Sequence, residues 1–162
     1  MRDFAAIDGH RVSKIIYGTI MVLVVILAME EHPPSAAGSL ALVVMTGIGV
    51  ALAEFYSDFI GTSIKEKHSL TSQERHNVAH NISGVLIGAL LPVPFFVLAW
   101  LGILQLGDAF AYTKWTLIGV LLFYGYVASR LSGHSQLFSI ILAVAASAIG
   151  IFVVLFKEAL GH

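Results

Sequence analysis

The chain has no cysteine among its 162 residues, so disulfide bonds, thiolate metal ligands and redox-active thiols are excluded. Charge is also scarce, because Asp, Glu, Lys and Arg make up 12% of the residues, about half the share typical of a soluble domain. The formal net charge is −1, which leaves no basic footprint for a nucleic acid. Hydrophobic residues make up 57% of the chain, and the mean hydropathy is +0.87. This composition indicates an integral membrane protein.

Motifs of common enzyme classes are lacking as well. The sequence contains no Gly-rich phosphate loop, no His-Glu-x-x-His pair and no Gly-x-Ser-x-Gly turn. Segment 132–135 (SGHS) sets a histidine beside two serines, but it has no acid nearby and is typical of a turn. We therefore expect no enzymatic activity and no permanently bound cofactor.

Five continuous apolar segments follow one another along the chain. Continuous runs are typical of membrane-spanning helices, whereas barrel strands alternate over about ten residues. The predicted fold class is an all-α integral membrane protein with five transmembrane helices, in a single domain covering 1–162. The segments are 15–29, 36–64, 82–106, 115–128 and 137–156.

Basic residues indicate how these helices are oriented. Lysine and arginine concentrate in the lead 1–13, in the loop 65–81 and after the fourth segment, whereas the other side holds only Lys114 and Lys157. By the positive-inside rule the amino terminus is inside and the carboxyl terminus outside. Residues 1–13 then form a cytoplasmic lead, and 65–81 form a cytoplasmic loop that extends the third helix. The predicted location is a bacterial inner membrane, with an organellar membrane as the alternative.

Small residues and prolines predict where the helices pack and bend. Small residues spaced four apart let helix backbones approach closely in lipid. Such pairs are Gly47 with Ala51, Gly84 with Gly88 and Ala146 with Gly150. Pro92 and Pro94 remove backbone donors within the third segment. We expect a kink or break there, with a carbonyl-lined site as the sharper alternative.

Two acids lie near the end of the second segment. Glu54 and Asp58 are four residues apart, which places both on one helix face. A carboxylate in hydrocarbon costs roughly 2.5–3.5 kcal/mol, so such residues usually face a bundle interior or a water-filled path. The sequence predicts an ion pathway, with Glu54 within the membrane and Asp58 at its cytoplasmic mouth. In the alternative interpretation both acids lie at the headgroup level, paired with Lys14, Lys65 or Arg130.

A second cluster lies in the predicted cytoplasmic loop. Glu74, His76 and His80 share it with His68 and Glu66, and the spacing of four between His76 and His80 suits one helical face. Imidazole with carboxylate binds first-row divalent metals, so Glu74, His76 and His80 are candidate metal ligands at an entry site. A solvated helix tip explains the same residues without a metal.

These segments resemble the vacuolar iron transporter family of five-helix membrane proteins. The resemblance is carried by NISGVLIGALLPVPFFVL (81–98), by the stretch from Trp115 to the end of the fifth segment, and by GIGVALAEFYSDFIGTSIKEK (47–67). It implies the five-helix fold, a homodimer, and Glu54 with Asp58 as pathway and metal-binding residues. The chain departs from the family at Tyr17–Gly18, where members carry Asp-Gly, and it lacks their long Glu-rich cytoplasmic domain.

The predicted function is membrane transport of a divalent cation, Fe²⁺ or Mn²⁺, as substrate and in exchange for protons. One alternative is a non-transporting membrane scaffold or regulatory subunit with a transporter-like fold, and another is a small proton or cation channel. These hypotheses differ in what they predict for Glu54. A transporter or channel directs it into a polar cavity or toward its symmetry mate, whereas a scaffold pairs it with Lys or Arg.

Overall fold

The computed structural model describes residues 9–66, 82–133 and 135–160, and every regular element in these ranges is a helix. We number six helices in chain order. They are α1 (Gly9–Glu31), α2 (Ala36–Glu66), α3 (described over Ile82–Leu90), α4 (Val93–Trp100), α5 (Leu106–Leu131) and α6 (Gln136–Leu160). The all-α prediction is confirmed for the described residues, and each predicted apolar segment lies within or across these helices.

Two helices are long and apolar enough to cross a membrane. These spans are Arg11–Glu31 and Ala36–Gly61, and α3 with α4 makes a third if the bent pair counts as one span. The chain is therefore a helical membrane protein, with two or three such spans in its described part. The count of five crossings and the orientation of the termini remain predictions. In α5 the apolar run is diluted by Lys114, Arg130 and several tyrosines.

The third predicted segment is broken at its prolines, as expected from the sequence. Helices α3 and α4 are bent by 40° at the break. Pro92 and Pro94 carry no N–H, so they cannot continue the hydrogen-bond ladder of α3. The Pro92 carbonyl instead accepts a bond from the Phe95 N–H at 3.0 Å, which starts α4. Phe96 of α4 then packs edge-on against Phe110 of α5, with ring centroids 5.0 Å apart.

Helix α1 is the centre of the bundle. It contacts α2, α5 and α6, and its residues Val22, Leu23 and Ile26 are almost fully buried in the apolar core. Because one helix contacts so many others, polar groups at its two ends have neighbours on different elements.

Helices α1 and α3 cross at glycines. A Cβ added to Gly18 of α1 would overlap the backbone carbonyl of Val85, and one added to Gly88 of α3 would overlap the carbonyl oxygen of Ile15. Gly84, one turn before Gly88, lies against the first turns of α1. The prediction that Gly84 and Gly88 mark a close helix contact is confirmed, since only glycine permits this approach of two backbones.

The other predicted small-residue pairs have different outcomes. Gly47 of α2 packs against Leu90 of α3, and Ala51 is buried one turn later. The packing of Ala146 and Gly150 in α6 lies outside what the structure describes. Gly102 and Gly133, which end α4 and α5, adopt positive φ values of 75° and 78°, the conformation of a glycine helix stop.

Candidate functional site

The two acids of α2 converge on one lysine of α1. The Lys14 Nζ donates a hydrogen bond to Glu54 Oε1 and lies 3.3 Å from Asp58 Oδ1. The side chains are 13% exposed for Lys14, 14% for Glu54 and 22% for Asp58, so all three are mostly enclosed. We call these three residues the charge cluster.

Helix geometry accounts for this convergence. Glu54 and Asp58 are one turn apart on the face of α2 that meets α1, whereas Ala53, Phe55 and Ser57 between and beside them are exposed. The prediction that the two acids share one helix face is confirmed. Lys14, one of the basic partners that the sequence offered, lies against both carboxylates.

The backbone of Lys14 is fixed from its other side by α3. A Cβ added to Gly84 would lie 3.2 Å from the Lys14 Cβ and 3.1 Å from the Arg11 carbonyl oxygen. The small residue of α3 therefore lets the first turns of α1 approach closely. The Lys14 side chain extends from this contact between α1 and α3 toward Glu54 of α2.

The charge cluster lies near one end of the apolar spans. Lys14 is three residues, about 4.5 Å, from Arg11, where the apolar span of α1 begins. Glu54 lies seven residues, about 10 Å, before the end of the α2 span at Gly61. Since the α2 span of 26 residues is about 39 Å long, it exceeds a hydrocarbon core of roughly 30 Å. Lys14 lies near the end of its span. Because Glu54 contacts Lys14, Glu54 lies closer to the interface than its position along α2 alone would suggest.

A second ion pair lies at the other end of α1. Lys114 of α5 lies 2.6 Å from Glu30 Oε1, with side chains 21% and 26% exposed. Lys14 and Glu30 are sixteen residues, about 24 Å, apart along α1. The sequence does not predict this pairing, because 84 positions separate Lys114 from Glu30 in the chain.

No group of three or more His, Cys, Asp or Glu side chains that is able to hold a metal ion occurs among the described residues. Glu74, His76 and His80, the predicted entry site, lie outside those residues. With Lys14 in place, the charge cluster holds an ammonium group between its carboxylates. A metal ion would need that position.

Comparison with known proteins identifies no family for the chain. No family model, no curated protein and no solved structure matches the chain. The resemblance to vacuolar iron transporters therefore stays a prediction from sequence motifs.

One face of α2 points away from the other described helices. Gly49, Ala53, Ser57 and Gly61 repeat at a spacing of four, and all are exposed. A Cβ added to Gly49 or Gly61 would meet nothing within 4 Å. We call these four residues the outer stripe. Whereas the glycines of α1 and α3 face each other, the outer stripe faces away from the other described helices.

Proposed function

We propose that this protein transports a cation across the membrane, with Glu54 and Asp58 as the acids of its pathway. The observation that carries the proposal is the pair of mostly enclosed carboxylates on successive turns of the apolar span of α2. One positive group lies against both acids, so a single cation in that position would contact both, which supports the proposal. A helix contact alone would be made at lower cost by apolar side chains, because burying charges costs desolvation energy.

The substrate we propose is a divalent cation, Fe²⁺ or Mn²⁺, moved in exchange for protons. Two carboxylates are hard oxygen ligands of the kind that Mn²⁺ accepts, and sequence motifs similar to those of vacuolar iron transporters favour the same substrates. The full proposal is a protein of five crossings with an inside amino terminus in a bacterial inner membrane, with Glu74, His76 and His80 as a cytoplasmic entry site. It has no enzymatic role.

We also propose that the transporter is a homodimer. In lipid, small residues spaced four apart are the main sequence signal for close helix association. The outer stripe offers this pattern on a face that the described helices leave exposed. The two copies would then meet along α2, the helix that also carries both acids.

A second candidate, a non-transporting membrane scaffold, is favoured by one specific observation. Glu54 is paired directly with Lys14, which is the arrangement that the scaffold hypothesis predicts. In that case the charge cluster only joins α1 to α2. The pairing is compatible with transport if the ammonium group leaves when a cation binds.

Uptake into proteoliposomes distinguishes these functions. The purified full chain is reconstituted, and uptake of Mn²⁺ and Fe²⁺ is followed over time with a pH gradient of either sign. We expect uptake by the wild type and its loss in Glu54→Gln, which keeps the shape of the side chain but removes its charge. Glu31→Gln, an exposed acid at the opposite end of α1, is the matched control and should transport normally. A wild type that takes up neither metal refutes transport and leaves the scaffold.

A further inference from the structure

We infer that Lys14 is a tethered cation that occupies the site of the transported ion, and that the ion binds by displacing it. The inference rests on the proposed function, since it concerns how the same two acids bind their substrate. Lys14 Nζ contacts Glu54 and lies 3.3 Å from Asp58 Oδ1, which is the position where an ion would contact both acids. The ammonium group and a metal ion are both positive, so they exclude each other from this position.

The geometry allows the ammonium group of Lys14 to leave while its backbone stays in place. The Lys14 Cβ packs against Gly84 of α3, and Thr19, one turn further along α1, donates a hydrogen bond to the Ile15 carbonyl at 2.8 Å. These contacts fix the backbone of α1 at this level. Beyond the Cβ, lysine has a flexible aliphatic stem, so its ammonium group can move without any change in helix packing.

The displaced ammonium group has a nearby polar destination. Lys14 is one turn from Arg11, the first residue of the apolar span of α1. Lysine side chains near the end of a membrane helix extend along apolar surface and place their charge at the interface. Displacement therefore moves the charge from a mostly enclosed position to the interface and does not strand it in hydrocarbon. This is why Lys14 is suited to act as a removable occupant.

The opposite end of α1 supplies the matched control. Lys114 of α5 is also a mostly enclosed lysine in an ion pair, and its partner Glu30 lies about 24 Å along α1 from Lys14. Its removal disturbs an ion pair of the same chemistry without emptying the site of Glu54 and Asp58. A general effect of losing a lysine will therefore appear in both variants, and competition for the site will appear in one.

Binding of Mn²⁺ alone to the full-length protein in lipid nanodiscs tests the inference. The free ion is counted by electron paramagnetic resonance, and the dissociation constant is compared among the wild type, Lys14→Met, Lys114→Met and Lys14→Met with Glu54→Gln. We expect Lys14→Met to bind roughly tenfold more tightly than the wild type, since the competing ion pair is gone. Lys114→Met should match the wild type, and the double variant should lose the gain.

The outcomes separate this inference from the proposed function. If Glu54→Gln abolishes uptake but Lys14→Met binds Mn²⁺ no more tightly than the wild type, transport stands and the tethered cation is refuted. An equal gain in Lys114→Met refutes it as well. If the wild type takes up neither Mn²⁺ nor Fe²⁺ and neither it nor Lys14→Met binds Mn²⁺, both proposals fail.

A measurement on the wild type decides the case in which Lys14→Met does not fold. Reductive methylation with formaldehyde modifies accessible amines, and mass spectrometry gives the extent at each lysine. Displacement predicts that saturating Mn²⁺ increases methylation of Lys14 several-fold and leaves Lys114 unchanged. Equal methylation of Lys14 with and without Mn²⁺ overturns the inference.

Discussion

The close contact of α1 and α3 gives a prediction whose sign depends on backbone geometry. In Gly88→Ala the new methyl group overlaps the Ile15 carbonyl oxygen and lies 2.9 Å from both the backbone nitrogen and the hydroxyl of Thr19. Two of these three atoms are backbone, so the neighbours cannot rotate away and the helices must separate. Overpacking of this kind costs about 1–3 kcal/mol, of which the better helix propensity of alanine returns roughly 1 kcal/mol. We expect a net loss of about 1 kcal/mol in the free energy of unfolding.

The same substitution elsewhere supplies the control. Gly119 lies within α5, and a Cβ added there meets nothing within 4 Å. Helix propensity alone then acts, so Gly119→Ala should stabilise the protein by up to about 1 kcal/mol. Reversible unfolding in mixed micelles with increasing dodecyl sulfate, followed by circular dichroism, measures both variants. Equal shifts in the two variants, or a stabilised Gly88→Ala, would refute the backbone contact as the reason for this glycine.

Three further predictions concern other parts of the bundle. Thr113 is fully buried, and its hydroxyl has no hydrogen-bond partner within the described ranges, so Thr113→Val should stabilise the protein by about 1 kcal/mol in the same unfolding assay. A loss of stability would mean that the hydroxyl is bonded. The Lys114–Glu30 pair is partly exposed. A double-mutant cycle should therefore give a coupling energy of roughly 0.2–1 kcal/mol that falls as salt is added. A larger coupling energy that does not change with salt would contradict this. Gly49→Leu in the outer stripe should abolish energy transfer between labelled copies in liposomes, whereas Gly119→Leu on α5 should not; transfer that survives Gly49→Leu places the dimer contact elsewhere.

Much of the helical framework was predictable because its signals are local. Apolar runs set the helices, and the break between α3 and α4 follows from the missing N–H groups of Pro92 and Pro94. The spacing of Gly84 and Gly88 predicted a close contact between two helices, because it places both glycines on one face of α3. The opposite side of that contact, at Gly18, was missed. A single glycine lacks a spacing pattern, although its distance of four from Lys14 puts both on one face of α1.

Part of the charge cluster was predictable from the sequence. The spacing of Glu54 and Asp58 fixed their common face, but the identity of their partner depends on how α1 packs against α2. That packing is set by contacts between residues 40 or more positions apart, for which a single sequence carries no pairing signal. The pairing of Glu30 with Lys114 was unpredictable for the same reason.

The two ion pairs of α1 have a consequence for how the protein is made. Within α1 the lysine lies near the amino-terminal end and Glu30 in the last turn, which is the unfavourable order for the helix dipole. The compensating charges come from α2 and α5, which leave the ribosome later. During synthesis Lys14 therefore meets its acids once α2 is complete, and Glu30 meets Lys114 only after α5 has emerged. Of the described helices α1 is made first, yet its two ends are both paired only after α5 has emerged.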